Sequence, residues 1–287
     1  MTLFEANNLT INFGGIRAVD DVSFAVKKGE VFTIIGPNGA GKTTIFNLIS
    51  RIYDPTAGRL RFEGRDITAV PPHRIATLGI ARTFQNIELF EHASLLENLL
   101  LGRHAHKRSG FFGELLFLPS VRRMEIEHRE AVEKVIDFLE LQQYREALIV
   151  NLPYGVRKVT ELARALCTAP KLLLLDEPSS GLNVEETEDM AFWIEDIRNL
   201  LGITVVMVEH DMKLVSAASD RVLALNYGRA IAIGEHVHVL SGVAARNGPA
   251  VDDRRAGLHR DPRCHRESTD RVQCPRKSHL VERAARA

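Results

Sequence analysis

The sequence predicts an α/β fold organised around a parallel sheet, and three segments carry that expectation. The stretch Gly36-Pro37-Asn38-Gly39-Ala40-Gly41-Lys42-Thr43-Thr44 follows an apolar run and precedes a helix-like one. It has the G-x-x-x-x-G-K-[ST] form of a phosphate-cradling loop between strand and helix. Residues 171–175 are a second apolar run, ending in Asp176-Glu177, and residues 203–208 a third, ending in Glu209-His210-Asp211. Continuous apolar runs of this length suit strands covered on both faces. Between the last two runs, residues 184–201 read as a helix, with Asn183 as its cap and Glu186 completing a capping box. Strand, helix, strand implies a right-handed parallel crossover. The loop, Asp176-Glu177 and His210 then share the edge where such sheets bind ligands.

The elements follow in chain order. Residues from about 3 to 70 suggest strands at 4–13, 19–26, 31–35 and 59–62, with turns at Gly14-Gly15, Lys28-Gly29 and Asp54-Pro55. Residues from about 86 to 166 turn helical. A helix over 94–101 has a Ser94 start and a Gly102 stop. Another over 120–141 carries an apolar stripe of Val121, Met124, Ala131, Val132, Val135, Ile136 and Leu139, read as packing inside a subdomain. The composition changes after Gly234. Residues 235–287 lack Ile, Phe, Trp and Tyr, and their 11 Arg and Lys against 7 Asp and Glu give +4, which leaves −4 for residues 1–234. This composition predicts a disordered basic tail.

The loop's chemistry follows from its residue types. Glycines let backbone N–H groups turn toward phosphate oxygens, and the following helix aims its positive end at the same anion. Lys42 neutralises β- and γ-phosphate charge, and the Thr43 hydroxyl can ligate Mg²⁺. Asp176 can hold the same ion, while Glu177 can polarise an attacking water. His210 is placed to reach a γ-phosphate. Gln85, between the strand-rich and helical parts, is placed to reach the metal or the water.

Bulk properties exclude several classes. The formal net charge is zero, so nothing global points to nucleic acid. Cys167, Cys264 and Cys274 have neither metal-ligand spacing nor a disulfide pattern, which fits a reducing cytoplasm. The first eight residues have neither a basic nor an apolar segment and predict no signal peptide, and no apolar run approaches the roughly 20 residues of a membrane span.

The ordered set of motifs resembles the ATP-binding subunit of an ABC transporter over residues 3 to about 234. It comprises Phe13 before Gly14-Gly15, the phosphate loop, Gln85, Leu152-Pro153-Tyr154-Gly155, Asp176-Glu177-Pro178, Ser180-Gly181-Leu182-Asn183 and Glu209-His210-Asp211. The resemblance implies a P-loop NTPase with a RecA-like parallel sheet core, an N-terminal antiparallel β subdomain and an inserted α-helical subdomain at about 86–166. It implies ATP and Mg²⁺, the latter at Thr43, Gln85 and Asp176. Phe13 would stack on adenine, residues 152–156 would be the signature, Glu177 the base, residues 180–183 the D-loop and His210 the switch histidine. It also implies a second ATPase subunit, hetero- or homodimeric, whose ATP is capped by this chain's signature through the Gly155 backbone. Permease subunits, a solute-binding protein and a peripheral place on the cytoplasmic face of the membrane complete the expectation, with no nucleic acid.

Within the family the chain is similar to the longer ATPase subunit of the high-affinity branched-chain amino acid uptake group. Phe13-Gly14-Gly15-Ile16-Arg17, Arg82-Thr83-Phe84-Gln85 and Val208-Glu209-His210-Asp211-Met212 carry that similarity, with an insertion at about 102–123 that is either local core or permease contact. Urea or amide uptake, lipopolysaccharide export and a binding-only subunit are the alternatives. The signature departs from Leu-Ser-Gly-Gly-Gln: Pro153, Tyr154 and Val156 replace Ser, Gly and Gln, and Arg157-Lys158-Val159-Thr160 follow. A weakened composite site is expected there. The resemblance stops near Gly234, and a shifted reading frame is one explanation of the basic tail.

Overall fold

The computed structural model describes residues 1–83, 87–103, 119–235 and 239, all within one compact unit. Two sheets lie at its centre. The first is antiparallel, with β1 (Thr2–Phe13), β2 (Ile16–Lys27), β4 (Ala57–Phe62) and β5 (Arg65–Asp66) in the order β2-β1-β4-β5. Phe4 pairs with Val26 on one side and Phe62 on the other. Strands β1 and β2 are 12 residues each, longer than the sequence suggested, because register shifts along the pair let it continue past its irregular positions.

The second sheet orders β10 (Arg229–Glu235), β9 (Arg221–Asn226), β3 (Val31–Ile35), β8 (Thr204–Val208), β7 (Leu172–Asp176) and β6 (Ile80–Arg82). All its pairings are parallel except β10 with β9. Strands β3, β7 and β8 are buried at every position. The reason is that two cores divide their side chains. Leu172, Leu174, Val206 and Val208 face the core shared with the first sheet and with α1 (Lys42–Ile49), whereas Leu173, Leu175, Val205 and Met207 face the helical side. A strand serving two cores has no polar alternation.

The helical side is formed by α3 (Leu95–Gly102), α4 (Pro119–Phe138), α5 (Tyr154–Leu166) and α6 (Val184–Asn199), after the short α2 (Ile75–Leu78). Of the predicted stripe on α4, Val121, Val132 and Ile136 are buried, as is Leu139 just beyond the helix, while Met124, Ala131 and Val135 are half-buried. The predicted capping box of Asn183 with Glu186 forms, and the predicted Ser94 start is itself a capping box, with Glu97. Gly102 differs from expectation. It is the last residue of α3 rather than its stop, and a Cβ there would lie 2.5 Å from the Arg164 carbonyl oxygen, so it serves close helix packing. After β8, α7 (Met212–Ala218) begins at Asp211, whose carboxylate accepts the Lys213 N–H at 2.7 Å. Among the described residues, no helix is long and apolar enough to cross a membrane. Gln85, most of the 102–123 insertion and all of 235–287 except Glu235 and Val239 lie outside the described residues.

Candidate active site

Strand register aligns the chemistry. Ile34 and Asp176 both pair with Val208, so the segments leaving β3, β7 and β8 emerge side by side. The phosphate loop leaves β3 first. Gly41 precedes α1 with φ +98°, in the left-handed region, and a Cβ there would sit 2.6 Å from the Ala18 carbonyl oxygen. Lys42 is buried, and its Nζ donates to the carbonyl oxygens of Gly36 at 2.8 Å and Pro37 at 3.1 Å. Ala40 is buried, whereas Pro37, Asn38, Gly39 and Thr43 are exposed and Thr44 half-buried. A cavity of about 350 Å³ is bounded by Asn38, Gly39, Lys42, Thr43, Thr44 and, from the end of β7 two strands away, Glu177. This cradle fits a phosphate chain: a glycine-turned backbone, a lysine ammonium and hydroxyl side chains converge on it.

Asp176 is 2% exposed, and its Oδ2 accepts from Arg82 Nη2 at 2.8 Å. The same guanidinium donates from Nη1 to Asn47 Oδ1 at 2.7 Å and Ser50 Oγ at 2.8 Å, tying β7 to α1. Arg82 was not singled out from sequence. A buried carboxylate with a guanidinium at hydrogen-bond distance is the only signal, and it exists only after folding.

Glu177 has φ +50°, a left-handed conformation that a non-glycine residue holds only when its surroundings fix it. Its N–H donates to the Val208 carbonyl at 3.0 Å, and its Oε2 lies 4.0 Å from His210 Nδ1. The imidazole side chain is 60% exposed, open to a ligand. Glu209, beside it, is fully buried. Its Oε1 accepts from the Ser179 N–H at 2.8 Å, and its Oε2 from the N–H groups of His210 at 2.8 Å and Asp211 at 3.1 Å. Sequence reading gave Glu209 no role beyond its place beside His210. Phe13 is 43% exposed at the tip of β1, with its ring edge-to-face with Tyr53 at 5.2 Å.

The segment at 152–160 lies elsewhere on the chain. Helix α5 begins after Pro153, which makes no side-chain cap. Gly155 is buried, and a Cβ there would fall 2.2 Å from Glu186 Oε1. Tyr154 Oη donates to the Ser180 carbonyl at 3.2 Å. Arg157 reaches back to the carbonyl oxygens of Leu152 and Val150, each at 2.8 Å. Lys158 and Glu161 are both buried, 4.0 Å apart. Just beyond α5, burial pushes the Cys167 thiol up to about 12, which removes it as a nucleophile. No cluster of His, Cys, Asp and Glu able to hold a metal by itself occurs among the described residues. Thr43, exposed at the cavity, and Asp176, at the end of β7, are oxygen donors of the kind Mg²⁺ takes, an ion that can draw further ligands from phosphate and water.

Known proteins resemble this chain in sequence and in fold. The sequence profile described as ABC transporter matches residues 19–180. The chain is 41% identical to the high-affinity branched-chain amino acid transport ATP-binding protein BraF of Pseudomonas aeruginosa over 235 residues, 81% of this chain and 91% of that one. It is 37% identical over 249 residues to the LivG protein of the same description from Escherichia coli, covering 87% of this chain and 95% of the relative. Among solved structures it resembles the ADP conformation of MJ1267, an ATP-binding cassette of an ABC transporter, with TM-score 0.73 and 32% identity over 84% of this chain and 95% of that one. A nucleotide-free cassette from an ABC transporter gives TM-score 0.72 and 30% identity over 85% and 96%.

Proposed function

The chain belongs to the ABC transporter family, and on that premise we propose that it is the ATP-hydrolysing subunit of an importer for branched-chain amino acids. The observation that carries the reading is the convergence of the phosphate loop, Asp176-Glu177 and His210 on one sheet edge, with Glu177 lining the loop's own cavity. The cargo rests on relatives described as branched-chain amino acid transport proteins that match most of both chains.

In this reading the backbone of residues 36–44 cradles the phosphates, and Lys42 moves from the Gly36 and Pro37 carbonyls to the β- and γ-phosphate oxygens. Phe13, exposed at its hairpin tip, supplies a face for adenine. Thr43 and Asp176 would hold Mg²⁺, with Gln85 as a further ligand, and the ion would neutralise charge developing on the transferred phosphoryl group. Glu177 takes the proton of the attacking water, and His210 contacts the γ-phosphate. Gly155 and the first turn of α5 are offered to the nucleotide of a second ATPase subunit. The cassette spans residues 1–234 and works on the cytoplasmic face of the membrane, against permease subunits fed by a solute-binding protein.

The test is turnover in the complete transporter. The complex is purified with its permease, partner ATPase and solute-binding protein and placed in vesicles. Mg²⁺-dependent ATP hydrolysis stimulated by leucine, isoleucine or valine is the expected result. Stimulation only by another solute would overturn the cargo, and absence of hydrolysis would overturn the ATPase reading.

A further inference from the structure

Glu209 is a fully buried carboxylate with no part in the proton or phosphate steps above. Burying an ionised carboxylate is costly unless its oxygens accept hydrogen bonds. Here they accept three, all from backbone, and the donors come from two different strand exits. Ser179, two residues past Glu177, gives one to Oε1. His210 and Asp211, which follow β8, give two to Oε2. The Glu209 N–H itself donates to the Ile34 carbonyl at 3.3 Å, in the strand that leads into the phosphate loop. The side chain thus joins the segment carrying the candidate base to the segment carrying the candidate phosphate-sensing histidine, and the backbone of the same residue ties them to the strand beneath the loop.

We propose that Glu209 is a positioning residue that holds His210 and the 177–183 segment in one frame, so that the two reach the same phosphate together. The inference rests on the ATPase reading and deepens it. The need for a carboxylate follows from acceptor count. An amide of the same shape has only one oxygen, so it can serve Ser179 or the His210–Asp211 pair, and its NH₂ group faces N–H donors on the other side. Glu209→Gln therefore breaks one of the two links while leaving the volume of the site unchanged. The phosphate loop is untouched by it, so ATP binding and hydrolysis separate.

The experiment measures ATP turnover of the full complex carrying wild-type chain, Glu209→Gln, His210→Ala or both changes. Glu209→Gln is expected to lower kcat by about 10²-fold, the scale of an ångström-level misplacement of catalytic groups, with the KM for ATP unchanged. In the His210→Ala background it is expected to cost little more, since residues acting as one unit are not additive. Wild-type kcat in Glu209→Gln, or losses that multiply, would overturn the proposal. Amide exchange of the wild-type chain tests the frame without any variant: the Ser179, His210 and Asp211 amides are expected to be strongly protected, and fast exchange at Ser179 or His210 would contradict it. An inactive wild-type complex would count against the ATPase reading, and the exchange result would still decide the frame.

Discussion

Helices α1 and α5 each follow a loop that the reading assigns to phosphate, yet their first turns are built in opposite ways. At α1 the loop turns through Gly41 in a left-handed conformation, and Lys42, Thr43 and Thr44 line a cavity. At α5 the turn starts from Pro153, which offers neither a hydroxyl nor an N–H, and the side chains that follow bind their own chain: Tyr154 to Ser180, Arg157 to residues 150 and 152, Lys158 near Glu161. The first turn is shaped to receive an anion with backbone and side chain together. The second is stiffened from within and has backbone and helix dipole to offer. In the reading proposed above, such a chain owns a well-equipped nucleotide pocket and lends its partner a plainer lid.

The largest effect that would break this contrast lies in the chain's own pocket. Glu177→Gln is expected to reduce turnover by about 10²–10⁴-fold, the contribution of a general base, while ATP still binds and holds the dimer closed on size-exclusion chromatography. Full turnover in that variant would remove Glu177 from the role. Next, Arg82→Ala strips the buried Asp176 of its guanidinium partner. Loss of one member of a buried pair costs about 3–5 kcal/mol, read as a lower denaturation midpoint; an unchanged midpoint would mean Asp176 finds other compensation. On the other side of the comparison, Pro153→Ser restores a hydroxyl to the lid. One charge-assisted hydrogen bond of about 1.5 kcal/mol is expected to speed hydrolysis of the partner's ATP by about tenfold, and no gain would show that the lid is not limiting. Smallest is Asn183→Ala, which removes the α6 cap beside Gly155 and is expected to lower stability by about 1 kcal/mol, measured by thermal melting.

The same contrast marks what the sequence made legible. Strand Val31–Ile35 was readable to the residue because four of its five positions are apolar and buried in the clusters on its two faces, and its one polar member, Thr33, is buried against Ser219. The α6 start was readable because its capping box is local, Asn183 to Glu186. Strand β9 carries the same kind of signal in Val222-Leu223-Ala224-Leu225 and went unread, as did the three-residue β6, too short for any periodicity. Arg82 and Glu209 were invisible as positioning groups for another reason. Their partners lie 94 residues away for Arg82–Asp176 and 30 for Glu209–Ser179, and only the sheet order brings them together. Gly102 looked like a stop because a glycine after an apolar run ends many helices; its actual neighbour, the Arg164 carbonyl, belongs to another helix. The constellation was readable as an ordered list of motifs, whereas the bonds that fix it in space were not.

The central claim, that the pocket formed by residues 36–44 with Glu177 is the more active of two composite sites, is tested most directly by inactivating the sites one at a time in the complex with a non-identical partner ATPase. Glu177→Gln in this chain is set against the equivalent change in the partner, and ATP turnover is compared. The account predicts that the change in this chain removes most of the turnover and the change in the partner removes the smaller share. Equal losses from the two changes would contradict it.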